Sequence, residues 1–199
     1  PAGSHLAPRR VNGPRPAGAV LAGGSSRRMG RDKALIEVDG VTLVERAAMA
    51  LRSAGLEPVV VVGGEQPALR SLGLDAVADH HPGEGPLGGV ITALEVLDGD
   101  PVVVLACDLV EASPVAIGSV VGALGDADVA IPVVDGRHQW LHAAWRHRAL
   151  PHLRQRFAEG ARSVRDGAEG LRTTLLLDGD PCWYHDADTP DDLPPAAHR

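Results

Sequence analysis

The sequence predicts an α/β fold: a single-domain three-layer αβα sandwich whose sheet is mostly parallel with an antiparallel strand. Three observations predict it. Two aliphatic runs, Val59–Val62 and Val102–Ala106, are apolar at every position; stripes of helical period alternate with them; and a glycine-rich turn follows directly on a first apolar run at Ala17–Leu21. A strand apolar on both faces needs cover on both faces, which is the condition of a parallel sheet between two helical layers.

The elements follow in order. Ala17–Leu21 is the first strand, ended by Gly23 and Gly24. Thr42, Leu43, Val44 and Glu45 form a capping box ahead of a stripe at Leu43, Val44, Ala47, Ala48 and Leu51, with Gly55 placed to end that helix. Val59–Val62 closes the β-α-β unit. Ala76–Ala78 reads as a short strand, Leu87–Leu97 as a helix on Leu87, Val90, Ile91 and Leu94, and Val102–Ala106 as the next buried strand. Ser113 and Pro114 suit a helix start, and Ile117, Val120, Val121 and Leu124 supply its buried stripe before Gly125. Val129–Val133, Trp140–Arg146 and Leu175–Leu177 have strand character, and Gly136 marks a turn short enough for an antiparallel pair.

Size and composition set the bounds. A chain of 199 residues with net charge −7 and pI near 5.7 suits one globular domain and argues against a nucleic-acid binder or a binder of anionic membranes. The organisation expected is a flexible segment at 1–16, in which Gly3, Ser4 and His5 resemble a tag remnant, a folded domain at 17–193, and a short tail at 194–199. No apolar run approaches the ~20 residues of a membrane span. The two cysteines, Cys107 and Cys182, lie outside any metal-ligand or disulfide spacing, and a reducing cytoplasm fits them. Nine histidines include His80, His81, His142 and His147, none at zinc spacing, and surface or loop positions are expected for them. No G-x-S-x-G elbow is present.

The segment Leu21–Lys33 carries the chemistry. It sets Ala22, Gly23 and Gly24 ahead of Arg28 and Lys33, a backbone that can close on phosphate oxygens followed by cations that neutralise them. It is neither a dinucleotide fingerprint, since Gly23 and Gly24 are adjacent, nor a P-loop, since Lys33 is followed by Ala34. A nucleoside triphosphate fits. Ligands of open α/β sheets gather outside the carboxyl ends of the strands, where Gly63, Gly64, Asp79, Asp108 and Asp188 also fall. Asp108, just past an apolar strand, is a candidate Mg²⁺ ligand, although an ordinary loop aspartate would read the same. Asp186 and Asp188 alternate on one side of an extended segment, so Asp188 could join the metal; helix-start aspartates are the alternative. The run Gly83–Gly89, with Gly85 before Pro86, suits close approach of a base or sugar, or is a plain loop.

Taken together, residues 21–35, Gly85–Gly89, Cys107–Leu109 and Asp188–Leu193, with Gly136–Ala143 and Gly160–Ser163, resemble the molybdenum cofactor guanylyltransferases over nearly all of 17–193. The resemblance implies a nucleotide-diphospho-sugar transferase-like fold and transfer of GMP from GTP to molybdenum-bound molybdopterin, with release of pyrophosphate. It implies GTP contacts from Leu21, Ala22, Gly23, Lys33 and Asp79 and a Mg²⁺ on Asp108; with the reading of the residues themselves, the expected nucleotide-binding set is Leu21, Ala22, Gly23, Gly24, Lys33, Gly64, Asp79, Gly85 and Asp108, the catalytic set Arg28, Lys33 and Asp108, and the metal ligands Asp108 and Asp188. Asp186 and Asp188 would meet the cofactor substrate, and proteins that deliver or accept that cofactor would be transient partners. Gly64 stands where the family often has a nucleotide-contacting asparagine, Val110 where proline is common, and Asp186 and Asp188 where asparagines are frequent. The paired aspartates look more like the related cytidylyltransferase, so CTP stays open beside GTP. A sugar-phosphate nucleotidyltransferase and a non-catalytic nucleotide-binding module are the remaining alternatives.

Overall fold

The computed structural model describes residues 14–23, 33–177 and 180–184. Seven strands form one central path in the order β10-β7-β9-β6-β1-β4-β5, with β8 (Arg137–His138) paired to the end of β7. These are β1 (Ala17–Leu21), β4 (Val59–Val62), β5 (Ala76–Val77), β6 (Val102–Ala106), β7 (Val129–Val134), β9 (His142–Trp145) and β10 (Thr173–Leu176). Along that path only β9 runs against its neighbours, pairing antiparallel with both β6 and β7. The mixed sheet expected from Gly136 is therefore present, and the turn at Asp135 and Gly136 opens the β7–β8 hairpin.

Helices cover both faces. On one side α3 (Pro86–Val96), α5 (Leu150–Ala158) and α6 (Val164–Ala168) pack over Ala17, Ala19, Val102, Val104 and Trp145. On the other, α1 (Leu43–Ser53) and α4 (Pro114–Ala123) cover Val20, Val59, Val61, Val103 and Leu105, with the short α2 (Gln66–Ser71) beside them through Leu69. Alternate residues of one strand thus serve two separate cores, which is why these strands read as unbroken aliphatic runs. Gly18 belongs to this packing, since a Cβ there would sit 3.0 Å from Leu51 Cδ1. Pairing begins before β1, because the carbonyls of Arg15 and Pro16 accept from the N–H groups of Asp100 and Glu57.

The α1 capping box forms as expected: Thr42 Oγ1 accepts from the Glu45 N–H at 3.3 Å, and Glu45 Oε2 accepts from the Thr42 N–H at 3.0 Å. The other end closes on Gly55, at φ +83°, with its N–H on the Arg52 carbonyl and the Leu56 N–H on the Leu51 carbonyl. Ahead of α1, β2 (Glu37–Val38) and β3 (Val41–Thr42), not among the expected strands, form a hairpin turned at Asp39 and Gly40, both at positive φ. Val110 packs under it with Val38 and Leu43, so the residue found where proline is common anchors this hairpin. At the far edge Asp128 ties β7 to β10: burial pushes its carboxyl up, but hydrogen bonds from Arg148 and Arg172 prevail and hold it at about 2.

Replacing Thr42 by Ala removes the hydroxyl that accepts from the Glu45 N–H and donates to Glu45 Oε2, keeps the Thr42 N–H to Glu45 bond, and should lower unfolding free energy by about 1 kcal/mol, measured as a shift of the urea midpoint at constant slope.

Candidate active site

The parallel register brings three strand ends to one level. Leu21 of β1 pairs with Val62 of β4 and with Ala106 of β6. The Ala22 N–H continues onto the Val62 carbonyl at 2.9 Å and the Cys107 N–H onto the Leu21 carbonyl at 3.2 Å. The loops at Ala22–Gly23, Gly63–Gly64 and Cys107–Asp108 therefore leave the sheet side by side.

Lys33 opens a 3-10 turn, Lys33–Leu35, and places its Nζ 3.6 Å from Asp108 Oδ2. Both side chains are largely shielded, 13% and 23% exposed, so the attraction is less screened than at a free surface. A cation and a carboxylate so placed can serve a polyphosphate and its metal together: the ammonium meets phosphate oxygens, and the carboxylate is a hard oxygen donor. Among the described residues no three acidic, histidine or cysteine side chains gather for a metal.

Asp79 stands beyond β5 and is held in place. Its Oδ1 accepts from the His81 N–H at 3.0 Å and lies 3.0 Å from Thr92 Oγ1 of α3, which in turn accepts from the His80 N–H at 3.1 Å. The other oxygen, Oδ2, faces the Gly23 backbone, where an added Cβ would come within 3.8 Å. Thr92, fully buried in a helix otherwise apolar on that side, is a site residue missing from the sequence-based set; its only signal is a hydroxyl within the Leu87–Leu94 stripe.

Glycines fit these loops together. Gly63 and Gly64 both have positive φ, and a Cβ on Gly63 would lie 3.2 Å from the Gly23 backbone, while one on Gly64 would lie 3.0 Å from Ala22 Cβ. Gly64 thus offers backbone, not a side chain, toward the Ala22–Gly23 turn. Gly85, at φ +92° before α3, would drive a Cβ to 2.7 Å from the Arg162 carbonyl, and Gly88 one to 2.7 Å from His81 Cβ. Gly85, Gly88 and Gly89 thus serve contacts within the protein, with Arg162, His81 and Leu21 in turn, and Gly85 docks the segment around Arg162 onto the start of α3. Arg162 completes that contact by pairing with Glu84 at 3.1 Å and lying 4.2 Å from the Phe157 ring centre.

Of the expected site residues, Leu21, Ala22, Gly23, Lys33, Gly64, Asp79, Gly85 and Asp108 fall along this carboxyl-end rim. Gly24, Arg28, Asp186 and Asp188 lie outside the described residues. The expectation of a surface or loop position fails for His142: it is 1% exposed, on β9 opposite Leu105, with its ring edge-on to Tyr184 at 4.7 Å. Neither ring nitrogen has a hydrogen-bond partner among the described residues. Its placement follows strand alternation, which turns His142 and Ala144 to the same core face.

A family model described as the MobA-like NTP transferase domain matches residues 18–173. The probable molybdenum cofactor guanylyltransferase of Chloroflexus aggregans is 36% identical over 164 residues, 77% of this chain and 76% of that protein. The protein of the same description from Opitutus terrae is 51% identical over 79 residues, which span 40% of this chain and 39% of that relative. In fold, the chain is similar to the molybdopterin-guanine dinucleotide biosynthesis protein A of Archaeoglobus fulgidus, with TM-score 0.72 and 24% identity, covering 88% of this chain and 94% of that one.

Burial lowers the His142 pKa to about 4 from 6.5. Above pH 6.5 the ring is neutral folded or unfolded; between pH 6.5 and 4 the unfolded chain takes up a proton that the folded chain excludes. Stability should fall by roughly 3 kcal/mol as pH drops through that window. Denaturation curves of wild type and His142→Phe check it, the variant losing this part of the slope.

Proposed function

Because the chain belongs to the MobA-like NTP transferase family, we propose that it transfers GMP from GTP to molybdenum-bound molybdopterin, forming the guanine dinucleotide cofactor and pyrophosphate. The observation that carries this reading is the shielded Lys33–Asp108 pair, set beside a glycine-rich strand end at the level of the tethered Asp79.

The chemistry needs little beyond alignment and charge. A terminal phosphate oxygen of the acceptor attacks the α-phosphorus; the new O–P bond forms as the α–β bridging bond breaks, and that bond's electron pair leaves on pyrophosphate. The backbone at Leu21, Ala22, Gly23 and Gly24 would hold the triphosphate, with Gly64 and Gly85 shaping the loops around the nucleotide. The Lys33 ammonium would stabilise charge arriving on the leaving oxygens, and Arg28 would add to it. Asp108, with Asp188, would hold Mg²⁺, which supplies charge neutralisation at the phosphates when bound. Asp79 is suited to the nucleotide's hydrogen-bond donors, because Thr92 and the His81 N–H fix one oxygen and leave the other toward Gly23. Asp186 and Asp188 would meet the cofactor substrate.

Pyrophosphate release with molybdopterin, Mg²⁺ and each nucleoside triphosphate tests the reaction and the base. GTP should support release and CTP should not; a CTP preference would replace guanylyl by cytidylyl transfer. Lys33→Ala and Asp108→Ala should each lower turnover by about two to three orders of magnitude in folded protein. Thr92→Val should raise the KM for GTP by about tenfold with turnover nearly unchanged, since it loosens a binding carboxylate and leaves the reacting phosphates alone.

A further inference from the structure

A groove of about 840 Å³ opens away from the Lys33–Asp108 pair, on the β7–β10 half of the sheet. It is large enough for a small-molecule ligand. One wall is aromatic: the rings of His138 and Trp140 stack at 22° with centres 5.6 Å apart. Arg137 and Arg165 add two guanidinium groups, and Asp166 a carboxylate. None of these three charged side chains has a hydrogen-bond or ion-pair partner among the described residues. Two guanidinium groups beside a flat ring pair match a flat heterocycle that also carries negative charge.

The groove connects to the rim through Trp140. The next residue, Leu141, accepts on its carbonyl from the Ala106 N–H at 2.9 Å, and Ala106 stands two residues before Asp108. Gly23, Gly64 and Asp79 lie on the other side of β6, at the ends of β1, β4 and β5. A donor held there and an acceptor held in the groove would meet at Asp108 from opposite sides, as an in-line displacement requires.

Resting on the proposed reaction, we propose that this groove is the acceptor site: Trp140 and His138 stack on a fused heterocycle, Arg137 and Arg165 take its anionic groups, and its terminal phosphate reaches toward Asp108. Asp166 is an acceptor for ring N–H groups at the heterocycle's edge.

Two measurements on the full chain separate this proposal from the reaction itself. The first is binding of the molybdopterin cofactor without GTP; the second is the KM for each substrate in GMP transfer. Trp140→Ala and Arg165→Glu should each weaken cofactor binding and raise its KM by about tenfold or more, with the KM for GTP unchanged; the unfolding midpoint should hold for the exposed Arg165→Glu and fall for Trp140→Ala, whose ring packs against the core. Trp140→Phe, which keeps a flat ring, should stay within about threefold of wild type. Weakened cofactor binding in the variants of a wild type that transfers no GMP would support the groove and overturn the reaction. Normal transfer with an unchanged cofactor KM in both variants, or no cofactor binding by wild type, would overturn the groove.

Discussion

The pairing of β1 with β4 and β6 is the constraint on which the rest of the molecule depends. Leu21 stands opposite Val62 on one side and Ala106 on the other, and backbone hydrogen bonds from Ala22 and Cys107 extend both ladders by one residue. That register alone sets the Ala22–Gly23 turn level with Gly63 and Asp108. A slip of one residue would turn every side chain of β1 to the opposite core and move Asp108 along the strand axis relative to the loop. Two separate hydrophobic clusters hold the register, each claiming alternate residues of the same strands, so neither face tolerates the slip.

From this frame the site needs only a few well-placed groups. In a chain of net charge −7, the proposed site pairs the shielded Lys33 ammonium with the Asp108 carboxylate; the pair is neutral in itself, and it would favour polyphosphate once the carboxylate is engaged by the metal it is proposed to hold. Glycines then remove the Cβ atoms that would hold the loops apart, most sharply at Gly85, where the Arg162 carbonyl occupies the space of a side chain. This contact reaches from residue 85 to residue 162 and joins the start of α3 to the segment that leads into α6, which borders the β7–β10 groove.

Much of this was legible in the sequence, where local signals and tertiary demands agree. Val59–Val62 and Val102–Ala106 are strands because aliphatic runs of that length can be buried on both faces; α1 shows its capping box and its Gly55 stop. Asp79 and Asp108 were legible as residues just past strands. Other features depend on distant partners. The six residues of α2 are too few to show a helical period, and the β2–β3 hairpin carries only the Asp39–Gly40 signal in two-residue strands. His142 reads as polar, yet its burial comes from its alternation with Ala144 and from Tyr184, more than forty residues on. Thr92 looks like an interruption of an apolar stripe until Asp79 is brought to it from thirteen residues away. Trp140 and Arg165 share a groove only because the segment between β8 and β9 and the helix α6 both border β10, a relation with no local signature.

The central claim is that this rim joins the α-phosphate of a guanine nucleotide to a phosphorylated acceptor. It is tested most directly by following GTP labelled at its α-phosphate in the presence of Mg²⁺ and molybdenum-bound molybdopterin. The account predicts that the label leaves GTP and appears in the cofactor product, one label for each pyrophosphate released. Label found only in free GMP, or remaining in GTP while the cofactor is bound, would contradict it.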